Sequence, residues 1–123
     1  MAFKVDKNGD IFLIQGDSGK LTVDGLNTDK NYRVYFAVQD KNRNTVGNEI
    51  MVNSNNSPFV VFQLTGEFTN LLKVDKKEGF AVYYYGIKVC DESSMLENTL
   101  VIASDDIGSV NTVTVYPKKV EGI

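Results

Sequence analysis

The residues most suggestive of catalysis are Gly16-Asp17-Ser18-Gly19, because a serine on a tight loop can act as a nucleophile. Acyl transfer by serine also needs a base that takes the hydroxyl proton, and this base is normally a histidine held by an aspartate. The chain contains no histidine. We therefore expect residues 16–19 to form a hairpin turn, in which Asp17 accepts backbone N–H hydrogen bonds and the glycines adopt unusual φ angles.

Two further segments have the beginning of a calcium-binding loop, in which oxygen ligands recur at every second residue. They are Asp6-Lys7-Asn8-Gly9-Asp10 and Asp40-Lys41-Asn42-Arg43-Asn44. An EF-hand loop also requires a glycine at its sixth position and a glutamate at its twelfth. Neither segment has either residue at the corresponding position. We predict that both are ordinary polar turns.

The remaining chemistry-bearing side chains give no enzyme or cofactor site. Asp91-Glu92 and Asp105-Asp106 are adjacent acids in predicted loops, whereas glycoside hydrolysis needs two carboxylates on opposite sides of a cleft. Cys90 is the only cysteine, which excludes an intrachain disulfide and, without histidine, leaves zinc short of ligands. We predict a protein that is not an enzyme, with no catalytic residue, no cofactor and no metal site.

The charge balance argues against nucleic acid as a partner. The 13 basic and 16 acidic side chains give a net charge of −3, and the lysines cluster only as pairs, Lys76-Lys77 and Lys118-Lys119. Affinity for nucleic acid depends largely on clustered lysine and arginine. No apolar run approaches the roughly 18–20 residues of a membrane span, and the first residues lack the pattern of a signal peptide. We expect neither nucleic acid nor a membrane as a partner.

Hydrophobic residues recur with a period of two, which is typical of β-strands. Between residues 31 and 39, Val34, Phe36 and Val38 alternate with more polar residues. The same pattern predicts strands at 11–14, 20–23, 31–39, 49–52, 59–64, 80–90, 99–103 and 112–116. Segments rich in Asn, Asp and Gly separate them. About eight short strands with such turns indicate an antiparallel sandwich or barrel.

We therefore predict one all-β domain over residues 1–123, an antiparallel β-sandwich with a short helical turn within 65–72. Phe68, Leu71 and Leu72 would close one end of the core, and a second turn is expected at 92–97. Residues 117–123 would form an extended C-terminal tail. The predicted core includes Val34, Phe36, Val60, Phe62, Val82, Leu100, Ile102, Val113 and Val115.

Three consecutive tyrosines divide between the two faces of their strand, with Tyr84 on one face and Tyr83 and Tyr85 on the other. They could form a platform for sugar stacking or a protein contact, or they could belong to a central strand whose tyrosines reach the rim of the core. We also expect association through an exposed sheet edge and the tail at 116–123. The candidate partner-binding residues are Tyr83, Tyr85, Tyr116, Val120 and Ile123.

Residues 12–40 resemble a family of bacteriophage proteins. They begin Phe-Leu-Ile-Gln-Gly-Asp-Ser-Gly-Lys-Leu-Thr-Val-Asp-Gly-Leu and end Tyr-Arg-Val-Tyr-Phe-Ala-Val-Gln-Asp. This order of apolar strand, turn and two further strands is similar to the N-terminal β-sandwich of phage upper-baseplate proteins and related small virion proteins. Tyr-Tyr-Gly-Ile-Lys-Val-Cys and Val-Tyr-Pro-Lys-Lys-Val-Glu-Gly look like further parts of such proteins. The resemblance implies an immunoglobulin-like sandwich that docks other virion proteins.

Upper-baseplate proteins continue into a coiled coil and a receptor-facing domain, whereas this chain stops at Ile123. The function we predict is therefore a phage structural or adaptor protein of the tail, baseplate or virion surface. It would associate with itself or with other virion proteins, and it would be made in the host bacterial cytoplasm before joining the virion. Two alternatives stay open: a carbohydrate-binding module that uses exposed tyrosines for weak glycan binding, and a phage-encoded inhibitor of a host protein.

Overall fold

Nine β-strands and one helical turn form the regular structure of residues 3–100 and 111–119, the part of the chain that the computed structural model describes. In chain order, the elements are β1 (Phe3–Val5), β2 (Ile11–Ile14), β3 (Gly19–Val23), β4 (Tyr32–Gln39), β5 (Thr45–Asn53), β6 (Val60–Leu64), α1 (Gly66–Thr69), β7 (Ala81–Asp91), β8 (Glu97–Leu100) and β9 (Asn111–Tyr116).

The strands form a large sheet and a small one, which pack together. The order in the large sheet is β1-β2-β9-β7-β4-β5, with β8 also paired to β7, and the small sheet consists of β3 and β6. All neighbouring strands are antiparallel except β2 and β9, which are parallel. Strands account for 51% and helix for 4% of the structure, which confirms the all-β class.

Both edges of β7 are paired. β4 occupies one edge, from the pair Tyr32 and Asp91 to the pair Gln39 and Tyr84. On the other edge, β8 pairs with residues 87–90 and β9 pairs with residues 81–85. β8 and β9 therefore pair with different halves of the same edge of β7, and residues 101–110 lie between them in the sequence.

The core lies between the two sheets, where alternate residues of the strands point inward. Phe36 is at its centre, with ring centroids 5.5 Å from Phe62 and 5.4 Å from Tyr85. Replacing a fully buried phenylalanine by alanine typically costs about 3–5 kcal/mol, so this cluster is a major contribution to stability. Six of the predicted core residues are confirmed as buried: Val34, Phe36, Val60, Phe62, Val113 and Val115.

Other predicted core positions differ from the structure. Val82 faces away from the core and is 38% exposed, because the inward side chains of β7 are the odd-numbered ones from Tyr83 to Val89. Leu100 is only half-buried at the end of β8. Ile102 lies outside the described residues.

Several strands also differ from their predicted limits. β2 matches the prediction, but β5 is longer than the predicted 49–52, and β1 was not predicted at all. The turn expected at 92–97 is present at residues 92–94 and is followed by β8. Residues 101–103 of the predicted strand lie outside the described part of the chain.

The predicted helical turn is present as α1. Thr65 caps it, because its Oγ1 accepts a hydrogen bond from the backbone N–H of Phe68 at 3.1 Å. Phe68 packs against the core and Leu72 is fully buried. Leu71 is 46% exposed, so its predicted place in the core is wrong.

The loops at residues 6–10 and 40–44 have the same hydrogen bonds. In each, the first aspartate accepts through Oδ1 from the backbone N–H groups two and four residues later, at 2.9–3.0 Å. Asp6 and Asp40 thus shape hairpin loops of the kind predicted. The fourth residue has a positive φ in both loops, 83° at Gly9 and 65° at Arg43.

The similarity of the two loops leads to a prediction about stability. A residue other than glycine destabilises the folded state by about 1–2 kcal/mol when its φ lies in the left-handed region. Replacing it by glycine recovers only part of this free energy, because glycine gains more conformational entropy on unfolding. Arg43→Gly should therefore stabilise the protein by about 0.5–1 kcal/mol, and Gly9→Ala should destabilise it by at least about 1 kcal/mol. Urea unfolding of both variants checks this, and changes of the same sign would contradict it.

Candidate functional site

The two inward-facing tyrosines of β7 are tied into the fold. The hydroxyl of the buried Tyr85 donates a hydrogen bond to the carbonyl oxygen of Gly9 in the β1–β2 loop. The hydroxyl of the half-buried Tyr83 donates to the carbonyl oxygen of Lys73 at 2.6 Å. Burial raises the pKa of both phenols. The hydroxyls of Tyr83 and Tyr85 therefore form hydrogen bonds within the fold, and the role of the two residues in binding a partner stays a prediction.

The other candidate binding residues lie at the C-terminus. Tyr116 ends β9 and is 39% exposed. Val120 and Ile123 lie outside the described residues.

Tyr84 and Tyr85 allow a matched test of whether the tyrosine hydroxyl on the inward face of β7 stabilises the fold. Tyr85→Phe removes the donor to a buried carbonyl and should cost about 1–3 kcal/mol of unfolding free energy. Tyr84→Phe removes a hydroxyl from the opposite face and should change stability by less than about 0.5 kcal/mol. Chemical denaturation of the two variants measures the difference, and equal losses would show that the hydroxyl of Tyr85 is not structural.

Residues 16–19 connect the two sheets, so the predicted hairpin turn is wrong. Gly16 has a φ of 90°, and its N–H donates to Thr69 Oγ1 at 3.0 Å. Thr69 Oγ1 in turn donates at 2.9 Å to the carbonyl oxygen of Asp17. The backbone of Asp17, and not the predicted carboxylate, thus holds this loop to α1. Ser18 is exposed.

The acidic pair Asp91 and Glu92, at the end of β7, also has a structural role. Asp91 accepts hydrogen bonds from Ser93 Oγ at 2.8 Å and Ser93 N at 3.0 Å, and it pairs with Lys30 Nζ at 3.2 Å. Glu92 accepts from the side-chain amides of Asn31 at 3.0 Å and Asn53 at 2.6 Å. These carboxylates fasten the ends of β4, β5 and β7, and they do not face each other across a cleft.

The Asp91 contacts predict a pH dependence of stability. The hydrogen bonds from Ser93, followed by the charge of Lys30, lower the pKa of Asp91 from its ordinary value of 3.8 to about 2. A group whose pKa is depressed by folding stabilises the protein above its unfolded pKa, and this stabilisation is lost as the pH falls from about 4 to about 2. Urea unfolding at pH 5, 3 and 2 should show a steeper loss for the wild type than for Asp91→Asn, and parallel losses would contradict the assignment.

The outer face of the large sheet consists of the side chains that point away from the core. Its residues alternate with the buried ones along each strand, and strand pairing places them in rows. Met51 is 49% and Val82 38% exposed on this face. We use "outer face" for the apolar, aromatic and small residues at its middle: Phe12, Tyr35, Ala37, Met51, Val82, Tyr84 and Gly86.

The middle of the outer face is a row of two small residues. Ala37 of β4 pairs directly with Gly86 of β7, and a Cβ atom added at Gly86 would meet no atom within 4 Å. Glycine inside a strand weakens the sheet and often marks a place where another backbone or a ligand approaches closely. Tyr35 and Tyr84 are the next residues on the same face, one on each strand. The row is therefore open and has an aromatic side chain on either side.

A cluster around Arg33 lies at one end of this face. The guanidinium of Arg33 lies between Cys90 and Met95, with Nη2 3.4 Å from Met95 Sδ, and the turn after β7 covers Cys90. Arg33 Nε is buried without a hydrogen-bond partner in the described chain and lies 3.9 Å from Glu92 Oε1. Sequence reasoning missed this cluster, because its members lie far apart in the chain and match no motif.

The two terminal strands of the large sheet are irregular, because β1 is short and the pairing of β5 is interrupted. β1 at one edge has only three residues. β5 at the other edge is interrupted, because the register shifts so that residues 47–49 all lie opposite Ala37. Short edge strands and bulges are common features that prevent another strand from pairing. The association through a sheet edge that the sequence suggested stays a prediction.

Within residues 3–100 and 111–119, no group of three or more Cys, Asp or Glu side chains is placed to hold a metal ion. The described chain has no helix with the length and apolar character needed to cross a bilayer. No protein-family model matches the chain, and no curated protein is similar to it in sequence.

Proposed function

We propose that this chain is a non-enzymatic binding protein that docks a protein partner, or a second copy of itself, on the outer face of its large sheet. The observation that carries the proposal is the row of Ala37 and Gly86, which leaves the centre of that face open between Tyr35 and Tyr84. A sheet face with small residues at its centre allows a partner surface to approach closely.

The composition of the outer face supports a protein partner. Tyrosine and methionine are enriched at protein interfaces, and charged residues are depleted from interface cores. Tyr35, Tyr84 and Met51 lie around the central row, and the charged Lys88, which pairs with Tyr35 and makes an ion pair with Glu97, lies directly beside it. Exposed apolar surface of this kind is most stable when a partner covers it.

We further propose that the sandwich is immunoglobulin-like. The neighbours β9-β7-β4-β5 correspond to the G-F-C-C′ order of variable-type immunoglobulin sheets, and β3-β6 corresponds to their adjacent B and E strands. The chain lacks the cysteine pair that joins the B and F strands of antibody domains, since Cys90 is its only cysteine. In its place, Phe36, Phe62 and Tyr85 form the centre of the core.

The biological setting that we propose is a bacteriophage virion. The resemblance of residues 12–40 to the N-terminal sandwich of upper-baseplate proteins supports a structural or adaptor role in the tail, the baseplate or the virion surface. The partner would then be another virion protein, and the chain would be made in the host cytoplasm.

A carbohydrate-binding module is the second candidate function. Tyr35 and Tyr84 support it, because their rings lie on the open face and their hydroxyls have no hydrogen-bond partner within the described chain. Sugar modules also stack their ligands on aromatic rings. A glycan array separates the two functions, since a sugar module would give signals that Tyr35→Ala and Tyr84→Ala remove. Inhibition of a host protein would use the same outer face, with a host enzyme as the partner.

The docking proposal predicts the effect of one charged side chain. Gly86→Lys should leave stability nearly unchanged, because its Cβ meets open space, but it should place a charge at the centre of the outer face. In co-expression with the products of the neighbouring genes, we expect the wild type to co-purify with one of them or to self-associate, and Gly86→Lys to lose that association. Light scattering and size-exclusion chromatography measure the assembly.

Thr22→Lys is the matched control, because Thr22 is exposed on the small sheet and lies between the buried Leu21 and Val23. It should assemble like the wild type. Equal effects of the two variants, or a wild type that stays monomeric at high concentration with every neighbouring product, would contradict the proposal.

A further inference from the structure

Two apolar side chains lie at the tip of the turn between β7 and β8. Met95 is 60% and Leu96 66% exposed, the highest exposures among the large hydrophobic residues of the described chain. Met95 also has a positive φ of 59°. This backbone conformation is costly for a residue other than glycine, and such strain is commonly kept at functional positions. We use "tip" for Met95 and Leu96, which are candidates for a contact with a partner.

The turn that carries the tip is held by hydrogen bonds. Met95 N donates to the carbonyl oxygen of Asp91 at 2.7 Å, and Asp91 N donates to that of Leu96 at 2.9 Å. Asp91 Oδ1 accepts from Ser93 N at 3.0 Å and from Ser93 Oγ at 2.8 Å. The backbone beneath the tip is therefore ordered before a partner binds, which lowers the entropic cost of a contact.

The tip lies on the same side of the large sheet as the outer face. Arg33 Nη2 is 3.4 Å from Met95 Sδ, and Arg33 precedes Tyr35 and Ala37 on the outward side of β4. Four residues of an extended strand separate Arg33 from Ala37, a distance of about 13 Å. One side of the chain thus carries an exposed apolar tip and, a short distance away, the open row of Ala37 and Gly86.

The tip and the row are complementary in their chemistry. The row leaves room for a side chain from another molecule, and Tyr35 and Tyr84 lie next to it. Methionine adapts to irregular gaps, and its sulfur makes favourable contacts with aromatic rings. Because the tip and the row lie on one side of the chain, two copies placed face to face can make the same contact twice, as a two-fold interface requires.

The charges beside the tip favour a second copy of the chain as the partner. Three acidic residues of the β7–β8 hairpin each pair with a basic residue: Asp91 with Lys30 at 3.2 Å, Glu92 with Arg33 at 3.9 Å, and Glu97 with Lys88 at 3.8 Å. Identical surfaces meet in a two-fold dimer, so an unbalanced charge near the axis would face its own like. These pairs balance their charges within each copy, which lets a second copy approach them with little net repulsion.

We propose that two copies of this chain pair face to face about a two-fold axis, with Met95 and Leu96 of each copy packed on the row of Ala37 and Gly86 of the other. The inference deepens the proposed function by naming a second copy as the occupant of the outer face, and it rests on that function for the use of the outer face. The strained turn holds Met95 at the position that this contact requires.

Chemical cross-linking between two variants tests the contact directly. In a Cys90→Ser background, Leu96→Cys is mixed with Gly86→Cys and treated with a short bismaleimide. We expect a cross-linked dimer that contains one chain of each variant. Leu96→Cys mixed with Thr22→Cys is the control and should give no such dimer, because Thr22 is exposed on the small sheet. No cross-link through Gly86, or an equal yield through Thr22, would overturn the proposal.

Met95→Gly distinguishes a contact in the dimer from a structural role in the turn. Glycine tolerates a φ near 59°, so the urea midpoint should equal or exceed that of the wild type, while the dimer mass in light scattering should fall to that of the monomer. Arg43→Gly is the matched control, since Arg43 has a similar φ of 65° and should keep the dimer mass. A lower midpoint for Met95→Gly, or a dimer that survives this change, would contradict the proposal.

Gly86→Lys separates the failure of this inference from that of the proposed function. If the wild type alone is monomeric but assembles with another protein in a way that Gly86→Lys abolishes, the second-copy inference fails and the proposed function stands. If a dimer is lost in Met95→Gly but tolerates Gly86→Lys, the outer face is not the docking surface and both fail. A dimer that both variants abolish supports both.

Discussion

The rest of the structure depends on the pairing of β7 along both edges. β4 pairs with residues 84–91 on one edge, and β8 and β9 share the other. The inward side of β7 contributes Tyr85, Ile87 and Val89 to the core, so the same strand fixes the centre of both the large sheet and the packing between sheets. Its outward side is left with Val82, Tyr84 and Gly86, and this alternation creates the candidate interface.

Long-range hydrogen bonds from β7 also organise the ends of the sandwich. Tyr85 ties the β1–β2 loop to the core through Gly9, and Tyr83 holds the segment after α1 through Lys73. Tyr83 is also one of the partner-binding residues that the sequence suggested, and its binding role stays a prediction. Its hydroxyl fixes the backbone of Lys73.

Much of the fold could be predicted from the period of two, because a strand with one buried face must alternate. The core positions in β4, β6 and β9 follow from that pattern, and so does the division of the three tyrosines. β1 could not be predicted, since three residues are too few to show a period. Val82 was assigned to the wrong face, because apolar residues lie on both faces of β7 and the pattern alone does not say which one is covered.

The candidate sites were harder to predict than the strands. The open row exists because Ala37 and Gly86 are paired across two strands. Such juxtapositions depend on register and crossover geometry, which local sequence does not specify. The loops at residues 6–10 and 40–44 were predictable as turns because their aspartates bond locally to their own backbone.

The central claim is that a partner covers the outer face of the large sheet. Hydroxyl-radical footprinting of the assembly tests it most directly, because Met51 on that face and Phe59 beside the small sheet are almost equally exposed in the free chain, at 49% and 48%. We predict that assembly lowers the oxidation rate of Met51 and leaves that of Phe59 unchanged. Protection of Phe59 with no change at Met51 would contradict the account.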